Sequence, residues 1–192
     1  MMFILLKVCL LKSLIELRKM ANLYFLIFKR FIFFALIQGF IFNNFNFLGS
    51  FNPYIALVFL LTFPIKTSKI TFMIISFCFG FSLDLFSNSI GINTAACLTL
   101  AFSRSYVLNF VFGSFYDPYG TKVLKNYISE STYYQQFLYL ISLILIHHSV
   151  LFLLESFSLK FLSLVIYKTL ITSFLSILFC ATTIYIMIKN EK

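Results

Sequence analysis

Six ionisable side chains sit inside otherwise apolar stretches of this chain: Asp84, Arg104, the adjacent His147 and His148, Glu155 and Lys168. Acids, bases and imidazoles together are the raw material of proton transfer, of a metal site, or of an ion-pair clasp between helices. Gly80, Asp84 and Asn88 recur at i, i+4 spacing, so on a helix they share one face, where the glycine admits a neighbouring helix beside the acid. His148 and Glu155, seven residues apart, share a face as well, while His147 points about 100° away. Adjacent imidazoles that diverge in this way make a poor chelate, and no clustered cysteine and histidine spacing supports zinc. The cysteines, Cys9, Cys78, Cys97 and Cys180, form no CxxC pair. The chain has no H-E-x-x-H, no phosphate-cradling glycine loop and no nucleophile–base–orienter set. No enzyme, metal or cofactor is expected.

The elements that must position these groups follow from composition. Of 192 residues, 61% are apolar and only 11% charged, with a mean hydropathy of +0.98. Soluble domains carry roughly 25% charged residues because water must be met by something polar. The solvent for most of this chain is therefore lipid. The net charge of +9 raises the question of nucleic acid. No compact basic patch interleaves with stacking aromatics outside the apolar runs, so no nucleic-acid partner is expected.

A spanning helix needs about 20 mostly apolar residues. Such runs cover residues 21–42, 70–86, 93–112, 136–157 and 161–188, and a shorter one covers 54–63 between Pro53 and Pro64. The short run is too brief to cross as a helix unless Phe47 and Leu48 contribute or the membrane thins around it. Ser87-Asn88-Ser89-Ile90-Gly91 is a tight polar connection, and a longer hydrophilic stretch, 113–134, contains the turn signal Asp117-Pro118-Tyr119-Gly120. With the N-terminus inside, Lys7, Lys12, Arg18, Lys19, Lys29, Arg30, Lys66, Lys69, Lys122, Lys125, Lys189 and Lys192 fall on the cytoplasmic side, against Lys160 outside. That asymmetry predicts two cytoplasmic termini and an even number of spans. The expected fold class is all-α: an integral membrane bundle of about six transmembrane helices, with a single domain over 21–192. Residues 1–20 read as an interfacial helix or as an extension ahead of an alternative start at Met20.

Counting about 1.5 Å per residue places Asp84 about 21 Å, Lys168 about 20 Å and His148 about 18 Å from the cytoplasmic face, with Arg104 at about 12 Å. The first three fall at one level. The expectation is a belt of Gly80, Asp84, Asn88, Arg104, His148 and Lys168, in which Asp84 and Lys168 neutralise one another and His148 joins by hydrogen bonding. A pocket for a small polar ligand, or a proton relay, is the functional alternative to that structural clasp.

The order of these segments resembles a known family. Phe51-Asn52-Pro53-Tyr54, entering a short apolar run that closes at Phe63-Pro64, resembles the second span of the MreD family of rod shape-determining proteins. The stretch from Gly80 through Asp84, Asn88 and Gly91 to Asn93 is similar to that family's most characteristic signature, a G-x-x-x-D helix end running into a polar turn. Arg104-Ser105-Tyr106, and Ile146-His147-His148 through Leu154-Glu155, resemble later landmarks of one branch. The matches run in order over roughly residues 25–188. The resemblance implies a bacterial inner-membrane scaffold in rod shape determination. Its partners would be an MreC-like single-span protein, the actin-like MreB filament, the glycosyltransferase and transpeptidase of cell-wall elongation, and membrane lipid. It supplies no catalytic residue. The other hypothesis is a solute-binding subunit similar to those of energy-coupling vitamin transporters, which are also small six-helix membrane proteins.

Overall fold

The computed structural model describes residues 23–44, 51–64, 67–113, 132–157, 160 and 162–190. The expected N-terminal segment 1–20 and the turn at 117–120 lie outside the described residues. The chain forms two compact units, residues 1–33 and 34–192. The described part of the first, 23–33, is helical and presents Phe25, Phe28 and Phe33 outward.

Five helices are long and apolar enough to cross a membrane: α1 (Leu23–Asn44), α3 (Lys69–Ser87), α4 (Ile92–Phe112), α5 (Tyr133–Ser156) and α6 (Leu162–Asn190). A much shorter helix, α2 (Leu57–Leu61), lies between α1 and α3. The ends of these helices have local causes. Ser68 accepts from the Thr71 amide to start α3, and Thr132 with Gln135 forms a capping box that starts α5. Asn88 (φ 51°) stops α3 and Phe157 (φ 44°) stops α5, each in the left-handed conformation that turns a chain out of a helix. Among the described residues no β-strand interrupts this all-α arrangement.

Within the second unit α3 packs on α4, α4 on α5, and α5 on α6. The last turns of α1 meet α3 through the Phe40 and Phe86 rings, 5.4 Å apart. They meet α6 through Phe42 and Phe179, 5.5 Å apart. Leu57, Val58, Phe59, Leu60 and Leu61 of α2 are all buried in the midst of these helices. Outward, α3 shows the stripe Ile70, Ile74, Phe77, Phe81 and Leu85. Apolar groups outside and polar groups inside are the arrangement of a protein solvated by lipid.

The short second run extends along α3 in a way that the apolar count alone does not give. Its Phe63 ring lies 4.7 Å from Phe72 near the start of α3, and its Phe59 ring 4.6 Å from Phe79, so the segment runs antiparallel to α3. Only five of its residues are helical. Extended residues rise about 3.3 Å each against about 1.5 Å in a helix, so residues 53–64, helical or turning over 55–62, reach up to about 25 Å against a hydrocarbon core of about 30 Å. The cost is a set of backbone groups with no helical partner, which hydrocarbon cannot satisfy.

Candidate functional site: the polar interior

The polar residues inside the bundle are placed where those freed backbone groups are. Gln38 on α1 holds both sides of Pro53–Ala56: its Nε2 donates to the Pro53 carbonyl at 3.3 Å, and its Oε1 accepts from the Ala56 amide at 3.2 Å. Ser176 Oγ on α6 accepts from the Tyr54 amide at 2.9 Å, and one turn on the Cys180 thiol lies 3.5 Å from the Tyr54 carbonyl. At the other end, the Tyr139 hydroxyl of α5 donates to the Leu61 carbonyl at 3.1 Å. Arg104 of α4 donates from Nε to Tyr139 Oη at 3.1 Å and from Nη2 to the Phe63 carbonyl. Its guanidinium carbon stands 4.7 Å from the centroid of the Phe72 ring. The C-terminus of α2 is thus met by a cation and a hydroxyl, which suits both its free carbonyls and the sign of its dipole.

Asp84 does different work. The helix after it, α4, begins at Gly91 (φ 78°), which has no side chain to cap the first turn. Asp84 supplies that cap from the preceding helix. Its Oδ1 accepts from the Asn93 amide (2.9 Å), from Asn93 Nδ2 (3.1 Å) and from Ser89 Oγ (2.5 Å). Its Oδ2 accepts from the Thr94 amide (2.9 Å) and from Thr94 Oγ1 (2.5 Å). A carboxylate at a helix N-terminus also meets the favourable end of the dipole. Gly80 makes the approach possible: a Cβ there would lie 2.6 Å from Thr94 Cα and 2.9 Å from the Asn93 carbonyl oxygen. Asn88 completes the corner as the left-handed residue that ends α3, its amide returning to the Asp84 carbonyl.

The expected clasp is therefore corrected. Among the described residues no ion pair joins Asp84 to Lys168. Lys168 Nζ instead lies 3.7 Å from Glu155, at the end of α5. A lysine that starts inside the membrane and reaches toward the helix end is snorkelling to the interface. The physical reason for the correction is proximity: the capping donors are only nine and ten residues beyond Asp84, across one turn. Arg104 does not take the vacated place either, because it is engaged at Phe63 and Tyr139.

His148 is fully buried and does not join Asp84. Its Nδ1 lies 2.9 Å from the Ile144 carbonyl and its Nε2 3.3 Å from Ser176 Oγ. In a neutral imidazole the Ile144 carbonyl requires the proton on Nδ1, so Nδ1–H donates to Ile144 and Nε2 accepts from the Ser176 hydroxyl, whose oxygen accepts from the Tyr54 amide. His147 points elsewhere, with Nε2 3.8 Å from Cys97 Sγ, and its Nδ1 has no hydrogen-bond partner. The Tyr54 ring lies against both imidazoles, at 5.6 Å and 5.3 Å. No group of three or more metal-ligating side chains occurs among the described residues.

The sequence missed Gln38, Tyr139 and Ser176. A signal for them exists: a ten-residue apolar run bracketed by Pro53 and Pro64 cannot satisfy its own backbone, so polar side chains in neighbouring apolar runs are its expected partners. The fold and this interior define a multi-pass α-helical membrane protein. No family model, curated protein or solved structure matches the chain.

Proposed function

We propose that this protein is a membrane scaffold subunit of the bacterial cell-wall elongation complex, acting in cell shape determination. In this role it lies in the cytoplasmic membrane with both termini inside. It holds an MreC-like single-span protein together with the MreB filament and the elongation glycosyltransferase and transpeptidase. The observation that carries the proposal is the corner from Gly80 to Thr94. The stretch most similar to the MreD signature is also the one whose polar residues are spent on joining two helices. Arg104, Tyr139, Gln38 and Ser176 are likewise committed to backbone of the same chain. Such an interior supports a rigid body that offers its outer helix faces to other membrane helices, and such association works by packing rather than by exposed charge.

A second reading, a solute-binding subunit similar to those of energy-coupling vitamin transporters, is favoured by one observation. Thr169, Thr172 and Ser173 on α6 bury hydroxyl oxygens that have no hydrogen-bond partner. Purification of the tagged chain from membranes in mild detergent, followed by identification of what accompanies it, separates the two. The scaffold proposal requires an MreC-like protein to be retained at high salt, because screening weakens exposed ion pairs but not packing. An accompanying ATPase pair, or a bound vitamin, would replace it with the second reading.

A further inference from the structure

We infer that the cleft between α5 and α6 is a lipid site, in which one acyl chain of a bilayer phospholipid lies along the two helices. The inference goes beyond the scaffold proposal and does not rest on it. The cleft has a volume of about 380 Å³. Its floor is made by the small side chains Ser149, Val165 and Thr169, of which Val165 and Thr169 are buried. Its rims are the large side chains Leu153, Leu162, Ile166 and Leu170, all exposed. Small residues where two helices meet, flanked by large ones, leave a slot that the helices do not fill themselves. A slot left empty forfeits the dispersion contacts of everything that lines it.

Its dimensions select the occupant. The lining runs from Leu145 to Leu153 on α5 and from Leu162 to Leu170 on α6, a length of about 12 Å at about 1.5 Å per residue. The volume divided by that length gives a section of roughly 30 Å². A helix with its side chains is about 10–12 Å across, a section of roughly 80–110 Å², so a partner helix does not enter. A hydrocarbon chain, whose carbons pack about 3.5–4.0 Å from their neighbours, does. The depth agrees. The slot begins at Leu153, close to the end of α5 at Ser156, where Lys168 reaches Glu155 at the interface. It ends at Leu145, about 16 Å below the end of α5, and one leaflet contributes about 15 Å of the hydrocarbon core. The slot thus follows one leaflet from headgroup level to midplane, which is the course of a phospholipid tail. Bulk lipid is as apolar as the slot, so retention there comes from fit.

The test reconstitutes the full chain in vesicles of phosphatidylethanolamine and phosphatidylglycerol and extracts it in mild detergent. Native mass spectrometry then follows the intact protein through successive delipidating washes. The expected result is one phospholipid per chain that outlasts the others. Val165→Phe fills the slot from α6 and Ser149→Leu from α5. Each should lower the one-lipid fraction at least about fivefold, the change that roughly 1 kcal/mol of lost contact produces. Ser149 is only half-buried, so its variant keeps the test alive if Val165→Phe does not fold. Thr169→Val, which keeps the shape and removes the hydroxyl, should leave retention unchanged, as should Phe77→Ala on the outward stripe of α3. Absence of a retained lipid overturns the proposal, as does a lipid that survives both filling variants or is lost equally from Phe77→Ala. Retention of one headgroup to the exclusion of the other moves recognition away from the chain and overturns it too. So does a polypeptide held in place of lipid and released by the filling variants.

Discussion

Asp84→Ala removes one carboxylate from five donors, and the structure sets the size of the loss. The Asn93 and Thr94 amides belong to the first turn of α4, and both residues are buried, at 3% and 7% exposure. An ordinary N-cap is worth about 0.5–2 kcal/mol, but here the cap is charged and its donors cannot turn to water. Each buried amide left without an acceptor costs about 1–3 kcal/mol, and the hydroxyls of Ser89 and Thr94 can rotate to other acceptors. Two stranded amides therefore cost about 2–6 kcal/mol. At about 2–4 °C per kcal/mol for a chain of this length, the midpoint falls by about 4–24 °C. Asp84→Asn keeps the shape but turns one acceptor into a donor, and should cost about 1–3 kcal/mol. The chain has no tryptophan, whereas Cys97 and Cys180 are fully buried. Thermal unfolding is thus best followed with a thiol-reactive fluorophore in detergent. The same assay tests the partner assignment. Lys168→Met combined with Asp84→Ala should be additive within about 0.5 kcal/mol, whereas Thr94→Ala combined with Asp84→Ala should not. A drop below about 3 °C for Asp84→Ala, or strong coupling between positions 84 and 168, would refute the remote-cap assignment.

Three other outcomes follow from the same structure. Tyr139→Phe removes the donor to the Leu61 carbonyl and should lower stability by about 1 kcal/mol, while Arg104→Leu, which also strands the Phe63 carbonyl, should cost about 3–5 kcal/mol in the same unfolding assay. Gly80→Ala pushes a methyl group against Thr94 backbone and should cost about 1–3 kcal/mol, read as a lowered midpoint. Reporter fusions after Lys192 and within residues 113–132 should both register as cytoplasmic, and an outside signal from either would mean that the short second run does not cross.

The lipid-solvated bundle was legible in the sequence because composition and run length act on whole segments. The α3–α4 corner was legible as a place but not as a set of bonds. Depth counting along helix axes puts Asp84 and Lys168 at one level, yet it carries no azimuth, and the amides of Asn93 and Thr94 at that same level are nearer in sequence and in space. Lys168 escaped the count because a flexible four-carbon stem carries its charge toward Glu155. His148 turns toward α6, where Ser176 meets it. The most consequential gap was the second run. Counting apolar residues asks whether a helix would be long enough, and this segment runs along α3 with only five helical residues. Once that is seen, Gln38, Arg104, Tyr139 and Ser176 cease to be isolated polar residues and become the partners of one backbone.

Hydrogen–deuterium exchange of the full chain in lipid nanodiscs, resolved by mass spectrometry, tests most directly whether the interior polar groups serve that backbone. Amides of residues 54–63 should exchange as slowly as those of α3 and α4, although only five of these residues are helical. Gln38→Leu should speed exchange at Ala56, and Ser176→Val should speed it at Tyr54, with the long helices unchanged. Exchange of 54–63 at the rate of water-exposed backbone in the unsubstituted protein would contradict the claim, as would variants that loosen every helix equally.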